Sequence, residues 1–166
     1  MLAADSLPRS PMTTQRISRR ASDNRYLHRD FHGALSNAIQ YLHHNFGAEA
    51  VREYLRQFAR RFYAPLKRRL GDEGLGALRD HYQEVYRLEG GDIRSSLGDG
   101  KLVIEVEASP AVMHMRERGY AVAELFHETI RTVNEALCED TPFVSELRDY
   151  DPQTGGCTMV FRRAER

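Results

Sequence analysis

The sequence predicts an α+β fold, an antiparallel sheet of two hairpins packed against about five helices, on three observations. Apolar residues recur at helical spacing through the first half of the chain, where no clear strand is found. Two later stretches, residues 93–107 and 143–162, place strand-like runs on either side of glycine-containing turns. Helical patterns separate these two stretches, and helices segregated from hairpins in this way build a sheet covered by helices.

Element by element, residues 1–22 come first, with Pro8, Pro11, several Ser and Thr, and Arg9, Arg16, Arg19 and Arg20 in no periodic order. Their composition predicts a disordered basic tail, leaving 23–166 as a single domain. Asp23 is an N-cap type, and from Leu27 the stripe Phe31, Leu35, Ile39, Leu42, Phe46 predicts a first helix that stops at Gly47. A second starts at Ala48, with Val51, Leu55, Phe58, Phe62 and Leu66 on its stripe and Tyr54, Ala59 and Tyr63 widening it. Pro65 is expected to kink or restart that helix, because it lacks an N–H and clashes with the preceding turn. Leu75, Leu78, Tyr82 and Val85 mark a third helix running to about Leu88, before Gly90-Gly91.

Residues 93–97, the turn Gly98-Asp99-Gly100 and residues 102–107 then read as a hairpin. Ser109-Pro110, an N-cap type followed by proline at the first helical position, opens a short helix to Gly119. Phe126, Ile130, Val133 and Leu137 share a face of a longer helix from about Ala121 to Cys138, closed by Thr141-Pro142. The second hairpin follows, with strands 143–150 and 157–162 around a turn at 151–156.

Composition narrows the function. A chain of 166 residues, 41% hydrophobic, is long enough for one real core. Its 24 basic and 24 acidic residues cancel, so no global positive field draws nucleic acid. Cys138 and Cys157 are too few for a disulfide framework, and a reducing, cytoplasmic setting is expected. No stretch approaches the roughly twenty apolar residues of a membrane span, and no apolar leader opens the chain. The partner expected is a small molecule.

Two constellations could act on one. His28 and His32 lie four apart on the first predicted helix, His28 inside the apolar stripe and His32 on its shoulder. Histidines at that spacing converge on a metal such as zinc in some helices. Arg29 opposes a cation here, and the third-ligand candidates are His81, Asp30, Glu105 or Cys157. Read without a metal, the pair consists of a core histidine and a partly exposed one. Farther on, His127 flanks an apolar helix face, Asn134 falls two turns beyond it, and Cys157 opens the last strand after Gly155-Gly156. A thiol beside an imidazole can become a thiolate nucleophile, with the imidazole returning the proton to the leaving group; read blandly, Cys157 simply packs. Arg52 and Arg56 lie on a largely solvated face and are candidate carboxylate clamps.

Residues 26–33 (Tyr-Leu-His-Arg-Asp-Phe-His-Gly), Tyr41-Leu42, 46–58 (Phe-Gly-Ala-Glu-Ala-Val-Arg-Glu-Tyr-Leu-Arg-Gln-Phe) and 62–66 (Phe-Tyr-Ala-Pro-Leu) resemble the L-2-amino-thiazoline-4-carboxylic acid hydrolase family. Ser109-Pro-Ala, the helix around His127 and the closing Gly-Gly-Cys-Thr-Met-Val-Phe-Arg are similar to its C-terminal half, so the resemblance spans about residues 24–163. It implies hydrolytic opening of a cyclic isothiourea to a carbamoyl-cysteine. In many relatives a cysteine stands where this chain has Ser109 and another where it has His127, which implies a Ser, His, Cys version of the site. The implied roles are Cys157 as nucleophile or His28 or His32 as base, His127 as acid, and Arg29 or Arg52, with Ser109, for the substrate. A divalent metal, manganese or zinc, on His28 and His32 is the cofactor to test, and no nucleotide or flavin is expected. The alternative is a small-molecule-binding or sensor domain without turnover.

Overall fold

A computed structural model describes residues 29–165; the predicted tail and His28 lie outside them. The described chain is α+β, with the order α1 (Phe31–Phe46), α2 (Ala48–Phe62), α3 (Ala64–Glu73), α4 (Leu75–Glu89), β1 (Ile93–Gly98), β2 (Lys101–Val106), α5 (Pro110–Glu117), α6 (Glu128–Cys138), β3 (Phe143–Arg148) and β4 (Cys157–Arg163).

The helix boundaries extend and in one place correct the sequence reading. Helix α1 is described from Phe31, after a turn at Arg29 and Asp30, and the expected start near Asp23 lies outside the described residues. Asp30 precedes the helix without capping it, because its carboxylate meets His114 Nε2 at 3.0 Å. Pro65, second residue of α3, restarts the helix as its chemistry predicts, so α2 ends at Phe62 and the described helices number six, in keeping with the expected architecture. Helix α6 starts at Glu128, not Ala121. Buried Ser36 of α1 is the reason: its Oγ donates to the Ala121 carbonyl at 2.7 Å and accepts from Ala123 N at 2.8 Å, which draws that backbone out of a helical ladder.

The sheet is antiparallel throughout, in the order β1-β2-β4-β3. Asp99 and Gly100, with φ of 51° and 71°, form the two-residue turn of the first hairpin, and Gly98 pairs with Lys101 across it. In the central ladder Leu102 pairs with Phe161, Ile104 with Met159 and Val106 with Cys157, all buried toward the helices. The strand period of two sends Val103 and Val160 to the other face. Helix α4 packs on β1 and β2, α6 on β3 and α2, and α1 on α2 and α5. One core cluster joins Ile39, Leu55, Leu78, Ile104, Leu137 and Phe161, so sheet and helices share a single interior.

Candidate site in a tyrosine-lined interior

Helix α4 carries Tyr82, Tyr86 and Glu89 at intervals of four and three, which aligns them along one face. Burial pushes the phenols of Tyr82 and Tyr86 far above the ordinary tyrosine range, and nearby Cys157 adds to the push on both. Tyr63, at the joint between α2 and α3, is raised by burial and then by Glu89. Tyr150, after β3, is raised by burial and then by Cys157. All four residues are nevertheless only half-buried, so these phenols lie deep in the fold without being fully covered.

The rings meet mainly edge to face. Tyr63 lies 5.7 Å from His81 and His81 5.6 Å from Tyr82, at interplanar angles of 83° and 69°. Burial lowers the His81 pKa, so this imidazole is neutral at neutral pH. The Tyr82 hydroxyl donates to Asn134 Oδ1, and Asn134 Nδ2 reaches Met159 Sδ at 3.5 Å. Among the described residues the hydroxyls of Tyr63, Tyr86 and Tyr150 have no side-chain partner. A buried hydroxyl left without a bond costs roughly 1–3 kcal/mol. Water or a ligand would satisfy each such group.

At the end of α4, His32 Nε2 faces Glu89 Oε2 at 3.2 Å, with the two side chains 15% and 9% exposed. Arg29 Nη2 donates to the Glu89 backbone carbonyl at 2.9 Å, holding the start of α1 to the end of α4. A carboxylate that fixes a partly exposed imidazole is the arrangement of a general base and its orienting group.

The remaining predicted residues are placed differently. Burial pushes the Cys157 thiol up to about 11, so at neutral pH it is protonated and not the activated thiolate the nucleophile role needs. His127 does not hydrogen-bond to it: Nδ1 lies 3.2 Å from the Glu124 carbonyl, Nε2 lies 3.6 Å from Glu128 Oε1, and the ring leans on Tyr150 at 5.6 Å. Arg52 Nε donates at 3.1 Å to Glu128 Oε1, and Nη1 at 3.4 Å to Glu49, so it ties α2 to α6 instead of waiting for a substrate carboxylate. Burial alone would raise the Glu128 carboxyl; hydrogen bonds from Thr132 and Arg52 outweigh it and hold that group below the usual range. Ser109 sits buried at the start of α5 with its backbone N–H on Thr154 O at 2.9 Å and makes no side-chain cap. Ser109, His127, Tyr150 and Cys157 thus gather around the turn between β3 and β4, without a thiol–imidazole bond.

The metal expectation on His28 and His32 is only partly covered by the described residues. No group of three His, Cys, Asp or Glu side chains among the described residues can hold an ion. His28 lies outside them. Of the proposed third ligands, Asp30 is taken by His114, Glu105 meets Arg94 Nε at 3.2 Å, His81 stands between tyrosine rings, and Cys157 carries a protonated thiol.

Sequence reasoning missed Glu89, Tyr86 and Tyr150. The signal available for two of them was polar-tipped residues at 82, 86 and 89 on one helical line. No protein-family model matches the chain, and no curated protein matches it either.

Proposed function

We propose that this protein is a hydrolase-like protein that takes a small, amino-acid-derived ring into the tyrosine-lined space and opens a C–N or C–S bond, with His32 as base. The observation that carries this reading is the His32–Glu89 pair, whose carboxylate acts on the phenols of Tyr63 and Tyr86, both without a side-chain partner among the described residues. His32 is also the second histidine of the motif through which the chain resembles the thiazoline-carboxylate hydrolases. For a ring of that class, water adds to the carbon between nitrogen and sulfur as His32 accepts its proton. The carbon–sulfur bond then breaks, the sulfur leaves as thiolate, and the ring nitrogen and the sulfur take up the two protons of water. The phenols supply hydrogen bonds to the ring.

The test is to incubate the protein with L-2-amino-thiazoline-4-carboxylate, with and without added manganese or zinc, and to follow carbamoyl-cysteine by mass spectrometry. Product is expected without added metal. His32→Ala is expected to lower kcat/KM by roughly 10²–10⁴ with the fold intact, and Cys157→Ala is expected to keep most of the turnover. Absence of product under every condition would overturn the hydrolytic reading. The protonated thiol of Cys157 favours a second reading, in which the same space binds its ligand without turnover. Under it, ring compounds raise Tm and no variant forms product.

A further inference from the structure

The apolar stripe that marks α1 in the sequence is covered only at its middle. Ile39 is fully buried and Leu35 and Leu42 are half-buried, but Phe31 and Phe46 at the two ends are 44% and 65% exposed. Tyr41, beside the stripe, is 61% exposed. Charge is missing from the same helix. Among the described helices α1 alone contains no Asp, Glu, Lys or Arg, in a chain of which 29% is charged. Its other exposed positions are Ala34, Asn37, Gln40, His44 and Asn45. A surface depleted of charge and enriched in aromatic rings has the composition of the centre of a protein interface.

The order of the stripe says which partner it suits. Phe31, Leu35, Ala38, Ile39, Leu42 and Phe46 follow one another at steps of 4, 3, 1, 3 and 4 residues, so the spacing reads the same from either end. Reversal exchanges Phe31 with Phe46 and Leu35 with Leu42, and only the middle pair differs in kind. A second α1 laid antiparallel across a two-fold axis at that middle pair therefore matches the first, as an isologous contact requires. Ala38, half-buried there, is small enough for two helix axes to approach to about 8 Å. Antiparallel pairing sets opposite ends of the two helix dipoles together. A face without formal charge also meets its own copy with no like-charge repulsion and no ion to desolvate. Nucleic acid or an anionic membrane would find no Lys or Arg on it.

We propose that α1 docks on a second copy of this chain in a two-fold antiparallel pair, with Phe31 on the partner's Phe46 and Leu35 toward the partner's Leu42. One helix pair about 24 Å long covers less than the roughly 800 Å² a side of a standard interface. The dimer is accordingly reversible, with a Kd on the order of 10 µM. This pairing stands apart from any chemistry at His32.

Sedimentation velocity of the full chain from about 1 µM to about 1 mM tests it, and a monomer–dimer equilibrium is expected across that range. Phe46→Glu and Phe31→Lys fall at exposed positions and act twice in each dimer, so each is expected to raise Kd at least about tenfold. Combined in one chain, the two changes set a cation against a carboxylate at both ends of an antiparallel pair. The combined variant is expected to associate severalfold more tightly than Phe46→Glu alone; in a parallel pair it would be the weakest of the three. Leu97→Glu, on exposed β1, is expected to leave Kd within about twofold. The wild-type concentration series decides the pairing even where a variant does not fold. A monomer at every concentration, a Kd unmoved by Phe46→Glu, or a combined variant weaker than both single changes would overturn the proposal. A monomer that floats with neutral phosphatidylcholine vesicles would overturn it too and give the face to lipid.

Discussion

At Cys157 the chemistry is decided by what surrounds the sulfur. Burial raises this thiol to about 11 from the usual 9.0 and does the same to Cys138 in α6. Both thiols are thus held in the neutral form, and the sign of the linkage follows. A raised pKa contributes stability in full below the unfolded value near 9 and loses it as pH climbs through about 11. Denaturant midpoints measured from neutral pH through that window should fall steeply, by roughly 2–3 kcal/mol per thiol when both are ionised. Alkylation at neutral pH should be slow in the folded protein and fast in denaturant; equal rates would show an accessible thiolate. His32 was legible in the sequence because its motif is local. Its partner Glu89 was not, since 57 residues separate them and no local spacing announces a pair of that kind.

Helix α6 is anchored to α2 by a carboxylate with no exposure. Glu128 takes Thr132 Oγ1 at 2.7 Å and Arg52 Nε at 3.1 Å, so Arg52→Ala strips away its main positive partner while leaving it buried. Loss of such a partner should cost about 3 kcal/mol in thermal or urea unfolding; a cost near zero would mean that Arg131, 3.6 Å away, takes over. Two glycines make a sharper contrast. A Cβ on Gly156 would meet the Glu107 carbonyl at 2.5 Å, and backbone does not give way as a side chain does. A Cβ on Gly71, inside α3, meets nothing within 4 Å. Gly156→Ala should therefore destabilise by roughly 1–3 kcal/mol, and Gly71→Ala should stabilise by about 0.5 kcal/mol. Periodicity showed most elements because burial enforces it, and Pro65 marked its own break. The late start of α6 was hidden, since Ser36, which causes it, lies 85 residues from Ala121.

Across the molecule, helices and sheet close on one core cluster, so a single cooperative transition is expected, with tyrosine fluorescence and far-UV circular dichroism changing together. Separate midpoints would divide the fold into parts. The fold class was legible because alternating strands and helical stripes are each written over a few consecutive residues. The tyrosine cluster was not, because its members come from the α2–α3 joint, α4 and the β3–β4 turn, and only the completed fold brings them near one another. The strand order has one more consequence. The segments richest in β-branched and aromatic residues, at Leu102–Val106 and Met159–Phe161, occupy the two middle lanes, while Arg94, Ser95 and Ser96 line one outer lane and Ser145, Glu146 and Arg148 the other. Polar and charged residues on an outer lane discourage strand-to-strand growth between molecules, and the fibre-prone stretches stay hidden while the sheet is intact. On heating, turbidity should then follow unfolding instead of preceding it, and shelf life in concentrated solution should be governed by how rarely β2 and β4 part.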